Sequence, residues 1–163
     1  MRRIAGALVV VVVLVAGCGG GGSPKAHKVA TLDPGMLGRR VLDLDVATEN
    51  VADELARKTD VYVDGLTLFS LRRQKLLMAT LQVARLDDRA RVHDAGFRSS
   101  FVSSLGGTEP RQVRLGSTDL WTTTGNDQEL AVWFDGPYLF VLSTRKDYER
   151  PRVLLRTMLE VKP

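Results

Sequence analysis

Three short segments in the C-terminal half of the chain predict consecutive antiparallel strands. They are residues 119–124, 130–134 and 138–142, and they are separated by Gly125-Asn126-Asp127 and by Asp135-Gly136. Asp-Gly readily adopts the left-handed backbone angles of a tight hairpin turn. Pro137 then falls at a strand start, where a missing backbone donor is tolerated. The last two segments are apolar on both faces, which is typical of central strands that are covered on each side.

Residues 61–86 predict a second hairpin. Leucines and other apolar residues flank the polar stretch Arg72-Arg73-Gln74-Lys75, which is expected to form the turn. Thr80 and Gln82 would share one strand face, and this favours strands. The alternative is one long helix, because leucine is a good helix former.

The three predicted strands of residues 119–142 would form a meander. Two segments before this meander are predicted to be helical. In residues 48–58, Val51 and Leu55 fall at helical spacing and Thr48 or Asn50 is a candidate cap. In residues 90–105, apolar side chains recur every fourth position. Asp87 or Asp88 is the expected cap, and Gly106-Gly107 is the expected end. The recurring side chains are Phe97, Phe101 and Leu105.

A third helix is predicted to begin near Asp147 and Pro151 and to end near Glu160. Proline is well placed in the first turn of a helix. Four apolar residues form a stripe opposite Arg152 and Arg156, and these are Leu154, Leu155, Met158 and Leu159.

The order of elements predicts an α+β fold. An antiparallel sheet, made of a hairpin plus a three-strand meander, would pack with about three helices in one domain, residues 29–163. This element order resembles that of small secreted sandwich domains such as the Mog1/PsbP-like group. The resemblance is one of element order, without a shared motif, and it implies no function.

The N-terminus predicts export from the cytoplasm. Arg2 and Arg3 precede an apolar and small-residue run over residues 4–16. This run is shorter than the roughly 20 residues that span a bilayer. A basic start, an apolar middle and small residues before a cleavage point are typical of a secretory signal peptide.

The end of that run, Val15-Ala16-Gly17-Cys18, resembles the lipobox of bacterial lipoproteins. The resemblance implies that a diacylglyceryl group is attached to Sγ of Cys18 and that cleavage falls between Gly17 and Cys18. In many bacteria a further acyl chain such as palmitate is added to the new amino group. Two acyl chains anchor a protein stably, whereas one holds it only marginally. The alternative is an ordinary signal peptide followed by a chance cysteine.

This interpretation divides the chain into three parts. Residues 1–17 are the predicted signal peptide, residues 18–28 a lipidated cysteine with a flexible glycine-rich tether, and residues 29–163 the folded domain. Cys18 is the single cysteine, so an internal disulfide and a cysteine-rich zinc site are excluded. The net charge of +4 is too small to indicate a dedicated nucleic-acid binder.

Candidate catalytic and ion-binding residues lack a complete motif. His93-Asp94 has serines nearby, at positions 99, 100, 103 and 104, but no Gly-x-Ser-x-Gly elbow exposes a nucleophile. Asp87-Asp88 and Asp43-x-Asp45 do not provide the ligand spacing of a calcium loop. We expect the first pair to cap a helix and the second to lie on a solvated face. Gly106-Gly107 belongs to no phosphate-binding pattern.

Two basic pairs, Arg72-Arg73 and Arg145-Lys146, are candidates for contact with phosphates or lipid headgroups, although polar turns are usually just solvated. Aromatic residues cluster in the meander and are expected to be core. The alternative is a binding groove involving Trp121, Trp133 and Tyr138. No metal site and no cofactor is predicted.

The resulting hypothesis is a lipid-anchored domain on the extracytoplasmic face of the cell membrane. It would be non-enzymatic and would bind an envelope protein or an apolar ligand. A separate interpretation is a lipid carrier or sensor with an apolar pocket between the sheet and the helices. The alternative is a small envelope hydrolase whose catalytic residues form no recognisable local motif.

Overall fold

One antiparallel sheet runs through the part of the chain that the computed structural model describes, residues 29–49, 63–87, 92–105, 107–125 and 127–163. Its longest strands form the predicted hairpin. The strands are β1 (Ala30–Thr31), β2 (Arg40–Val41), β3 (Leu44–Glu49), β4 (Val63–Arg73), β5 (Leu76–Leu86), β6 (Arg111–Leu115), β7 (Thr118–Thr124), β8 (Gln128–Asp135) and β9 (Tyr138–Arg145). The helices are α1 (Ala95–Ser104), α2 (Pro151–Leu159) and a short 3-10 turn, Pro34–Met36.

The strand order is β2-β3-β4-β5-β9-β8-β7-β6, with β1 beside β4. All pairs are antiparallel except β1 with β4. Strand β1 pairs with Gly65 and Leu66, whereas β3 pairs with the stretch from Leu68 to Arg72. The two therefore share one edge of β4, one after the other.

The α+β class is confirmed, but the sheet is larger and the helices are fewer than predicted. The hairpin and the meander form as expected, and the long-helix alternative for residues 61–86 is wrong. Strands β1 and β2 have two residues each, too few to show any periodicity. Strand β6 is exposed at four of its five positions, so it lacks the apolar alternation that identifies a strand.

The helix predictions had mixed outcomes. Thr48 and Glu49 are the last residues of β3, so Thr48 caps no helix there. The rest of that predicted helix, residues 50–58, lies outside the described residues. Helix α1 is capped by Asp94, whose Oδ1 accepts a hydrogen bond of 3.0 Å from the Phe97 amide. The prediction of Asp87 or Asp88 as this cap is therefore wrong.

The sheet is covered by α2 on one face and by α1 on the other. On the α2 face, Leu154 and Met158 pack with a buried layer that includes Leu81 and Phe140. On the opposite face, Phe101 and Val102 of α1 join a second buried cluster. That cluster draws on β4, β5, β8 and β9 through Leu66, Ala84, Val132, Leu139 and Val141. Strands β8 and β9 thus carry buried side chains on both faces, as their apolar pattern predicts.

The lipobox residues Val15, Ala16, Gly17 and Cys18 lie outside the described residues, together with the predicted signal peptide and tether. These assignments stay predictions. None of the described helices is both long enough and apolar enough to cross a membrane.

Candidate ligand-binding groove

Helix α2 covers only part of its face of the sheet and leaves an open groove over β6, β7 and β8. The groove has a volume of about 570 Å³. Small-molecule sites typically occupy roughly 300–1,000 Å³ and combine an apolar lining with a few polar groups. This groove is therefore a candidate binding site by size.

The floor of the groove follows from the strand register. Positions that pair directly across antiparallel strands project from the same face. One row runs across four strands as Leu142, Ala131, Thr122 and Arg111. Beside it, buried Leu120 is paired with Val113, which is 41% exposed. On the other side of the first row lie Thr144, Glu129 and Thr124. The floor is thus apolar at its centre and carries hydroxyl groups at one end.

Helix α2 forms the wall of the groove. The side chains that line the groove are different from those that α2 buries against the sheet. Leu154 and Met158, four residues apart, are the fully buried pair. Arg152, Leu155 and Arg156 follow the i, i+3, i+4 spacing of a single helix face, and all three line the groove. Arg152 and Arg156 do lie away from the buried pair, as the sequence predicts. They border a groove, which the sequence did not indicate.

Three arginines around the groove have no counter-charge. Arg111, Arg152 and Arg156 are exposed, and no described carboxylate forms an ion pair with any of them. Elsewhere in the described ranges, six arginines have a carboxylate partner, whereas Arg39 and Arg40 have no ion pair or side-chain hydrogen bond. The paired ones are Arg72, Arg73, Arg85, Arg114, Arg145 and Arg150, while Arg98 donates to a carbonyl. Glu129 is the acidic residue of the lining, so the groove carries net positive charge.

Asp43 is the centre of a second charged cluster, which ties three segments of the chain together. Its carboxylate accepts hydrogen bonds from Arg73 of β4 at 2.7 Å, from Tyr148 at 3.0 Å and from Arg150 at 2.6 Å. Arg73 also donates two hydrogen bonds to Glu149, at 3.1 and 2.8 Å. The expectation of a solvated face is met by Asp45, which is exposed, but it is wrong for Asp43, whose half-buried carboxylate is bonded to these three partners. The cluster fixes the start of α2 against the hairpin and the β2–β3 turn.

Electrostatics in this cluster favour its charged state. Burial alone would raise the pKa of Asp43, but the hydrogen bonds from Arg73, Tyr148 and Arg150 outweigh it and lower the pKa to about 2. Hydrogen bonds from Arg73 lower the pKa of Glu149. Burial, together with the bond to Asp43, raises the pKa of the Tyr148 hydroxyl. Every group is partnered within the fold, so the cluster is a structural clasp for the wall of the groove.

His93 lies beside a different, smaller cavity of about 370 Å³, which Asp87 and Asp94 also line. Asp94 already caps α1. No hydrogen bond within the described ranges joins His93 to a serine, and Ser104 donates to the Phe101 carbonyl. No group of three or more metal-ligating side chains occurs among the described residues. These residues therefore do not assemble a nucleophile–base pair here.

Three of the four cations in the two basic pairs that the sequence singles out line a third cavity, of about 630 Å³, at the end of the β4–β5 hairpin. Arg72, Arg145 and Lys146 line it with Lys75. Arg72 pairs with Glu49 at 3.5 Å and Arg145 with Asp147 at 2.5 Å. Arg73 turns instead to the Asp43 cluster. The cations of this cavity are thus largely satisfied within the fold, in contrast to those of the groove.

The structure places Trp121 on the opposite face of the sheet from Trp133 and Tyr138, with which it was predicted to share a groove. Trp133 is 2% exposed and stacks on Phe140, with ring centroids 4.9 Å apart. Trp121 belongs to the opposite face, where its ring meets Phe134 edge-on at 6.0 Å. Tyr138 packs against the α2-side core. Trp121 and Trp133 consequently line no common groove. Gly107 has a φ of 100°, consistent with a turn after α1, and Gly106 lies outside the described residues.

The groove residues were missed for an identifiable reason. Arg111 and Val113 lie on β6, which was not predicted, and the pairing of β6 with β7 is what brings them beside α2. The sequence shows that Arg152 and Arg156 share one helix face. Whether that face borders a groove depends on what α2 packs against, which the sequence does not show. No family model, curated protein or solved structure matches this chain.

Proposed function

We propose that the protein is a lipid-anchored extracytoplasmic binding protein and that the groove between α2 and the outer strands is its binding site. The anchor is Cys18, exposed as the new N-terminus by cleavage after Gly17. The folded domain is non-enzymatic in this proposal, and it holds an envelope protein or an apolar ligand. The hydrolase alternative has no described cluster in its favour.

One observation carries the binding proposal. The groove combines an apolar, partly exposed floor with Arg111, Arg152 and Arg156, which have no partners among the described residues. Exposed apolar surface and unneutralised charge side by side are typical of a surface that is completed by a ligand. Most arginines elsewhere in the described part of the chain have a carboxylate partner, and this sets the groove apart.

The anchor is tested by substitution of Cys18. In a bacterium that processes lipoproteins, the wild-type chain should incorporate a labelled fatty acid and partition with membranes. Cys18→Ala should incorporate none and should be released or left unprocessed. Membrane-bound Cys18→Ala, processed at the same position, would contradict the anchor.

The groove is tested separately by NMR. Addition of an envelope extract to the isotopically labelled chain should shift the amide resonances of Val113, Leu115 and Leu155 at the groove. Resonances of Trp121 and Val132 on the opposite face are the internal control. Shifts confined to His93 and its surroundings, with a change in the mass of an extract component, would favour the hydrolase instead.

A further inference from the structure

We propose that the ligand of the groove is a single-chain amphiphile with an anionic headgroup, a carboxylate or a phosphate. This inference rests on the proposed function and names the ligand class of the same site. Its basis is the arrangement of groups in the groove, where the exposed arginines Arg111, Arg152 and Arg156 lie beside a floor that is aliphatic at its centre.

The rim is suited to an anionic headgroup. A guanidinium group offers a planar fork of donors that matches the two oxygens of a carboxylate or phosphate. Arg152 and Arg156 are one helical turn apart, a spacing at which like charges repel and destabilise a helix. Arg111 adds a third positive charge from β6. A bound anion would neutralise this repulsion, since Glu129, the acidic residue of the lining, forms no ion pair with any of the three arginines.

The floor is suited to an alkyl chain. Leu120, Ala131 and Leu142 form its buried centre, and the apolar surface still open to solvent belongs to Val113 on β6 and to half-buried Leu115 and Leu155. Val113 is 41% exposed, so apolar surface remains to be covered. Burial of that surface by methylene groups is favourable in proportion to the area removed from water.

An extended acidic peptide fits the floor less well. Strands β7 and β8 are each paired on both sides, so their ladder donors and acceptors are already used. The free backbone edge of these strands belongs to β6, at the outer border of the groove. The floor therefore offers aliphatic groups and threonine hydroxyls, which suit a hydrocarbon chain better than a peptide backbone.

The test uses the predicted mature chain, residues 18–163, carrying Cys18→Ala so that no acyl chain is attached. Binding of dansylaminoundecanoic acid is followed by fluorescence and then competed with palmitate, lysophosphatidate or hexadecanol. We expect both anions to displace the probe and the uncharged alcohol to displace it poorly. Preference between palmitate and lysophosphatidate identifies the headgroup.

Paired substitutions locate the headgroup site. The R152Q/R156Q variant should lose affinity for palmitate by roughly tenfold or more, because hydrogen bonds to a charged group are lost. The matched control is R39Q/R40Q, which removes two arginines beside β2, at the far edge of the sheet, that likewise have no ion pair among the described residues; it should leave the affinity unchanged. Circular dichroism checks that both variants are folded.

Four results would overturn the inference. Equal competition by hexadecanol would rule out a requirement for an anionic headgroup. Equal affinity of R152Q/R156Q and R39Q/R40Q for palmitate would rule it out as well. If the groove resonances shift with an envelope protein but not with any amphiphile, the ligand is a protein. The proposed binding function would then still hold, but the proposed ligand class would be wrong. Failure of every extract component to bind would overturn both.

Discussion

The hydroxyl of Tyr148 donates a hydrogen bond of 3.0 Å to Oδ1 of Asp43, across 105 positions of the sequence. Tyr148 is 2% exposed, and its ring lies under the guanidinium of Arg73 at 5.5 Å. This bond joins the segment before α2 to the β2–β3 turn. The orientation of α2, and with it the wall of the groove, depends on such contacts.

Removal of the Tyr148 hydroxyl should destabilise the fold. Tyr148→Phe is expected to lower the free energy of unfolding by about 1–3 kcal/mol, the usual loss for a buried hydrogen bond to a charged group. Urea unfolding measures the effect. The effects of Tyr148→Phe and Asp43→Asn should be non-additive in a double-mutant cycle, and additive effects would show that the two residues are not coupled.

The Asp43 cluster should make the protein sensitive to acid. The folded-state pKa of Asp43 is lowered from 3.8 to about 2, so its contribution to stability is present above about pH 4 and is lost as the pH falls towards 2. The lowered pKa of Glu149 acts in the same direction. In thermal melts, the advantage of wild type over Asp43→Asn should shrink over this range. A constant difference between pH 6 and pH 2 would be inconsistent with the assigned role.

Gly65 is required by the close approach of Leu32. A Cβ atom at Gly65 would lie 2.5 Å from Cδ2 of Leu32, a buried residue beside β1. Gly65→Ala should therefore cost roughly 1–3 kcal/mol through overpacking. Most of this cost should disappear in a Leu32→Ala background, where the clashing atoms are absent. Gly38→Ala is the matched control and should be neutral, since its nearest contact is at 3.9 Å.

The two tryptophans should behave differently in solution. Trp133 is 2% exposed and is stacked on Phe140, whereas Trp121 is half-buried. The fluorescence of Trp121→Phe, which reports Trp133 alone, should resist quenching by acrylamide. Trp133→Ala should lower the free energy of unfolding by about 3–5 kcal/mol, as expected for a large core residue. Easy quenching of Trp133 would contradict its placement in the core.

Sequence patterns predicted those elements whose apolar periodicity is strong. The two hairpin strands β4 and β5 and the meander β7, β8 and β9 were found because each alternates or is continuously apolar. Strand β6 was not predicted because most of its side chains are exposed and show no apolar alternation. The strand is held by backbone pairing with β7. Asp43 shows the same limit, since its role depends on Arg73, Tyr148 and Arg150, which no local pattern connects to it.

The candidate site was less predictable than the fold. The aromatic residues chosen from the sequence are divided between two faces, because residues adjacent along a strand point in opposite directions. The groove instead combines positions from β6, β7, β8, β9 and α2, which only the strand order brings together. The unpaired state of Arg111, Arg152 and Arg156 is likewise a property of the folded arrangement.

Native mass spectrometry of the lipid-anchored protein, extracted from the membrane in a non-ionic detergent and incubated with palmitate, tests the central claim most directly. We expect a chain that begins at an acylated Cys18 and retains one palmitate. Val113→Glu, which places a negative charge on the exposed floor, should lose that palmitate. Val153→Glu, at a similarly exposed valine on the outer side of α2, should keep it. Equal retention by the two variants, or none by the wild type, would contradict the account.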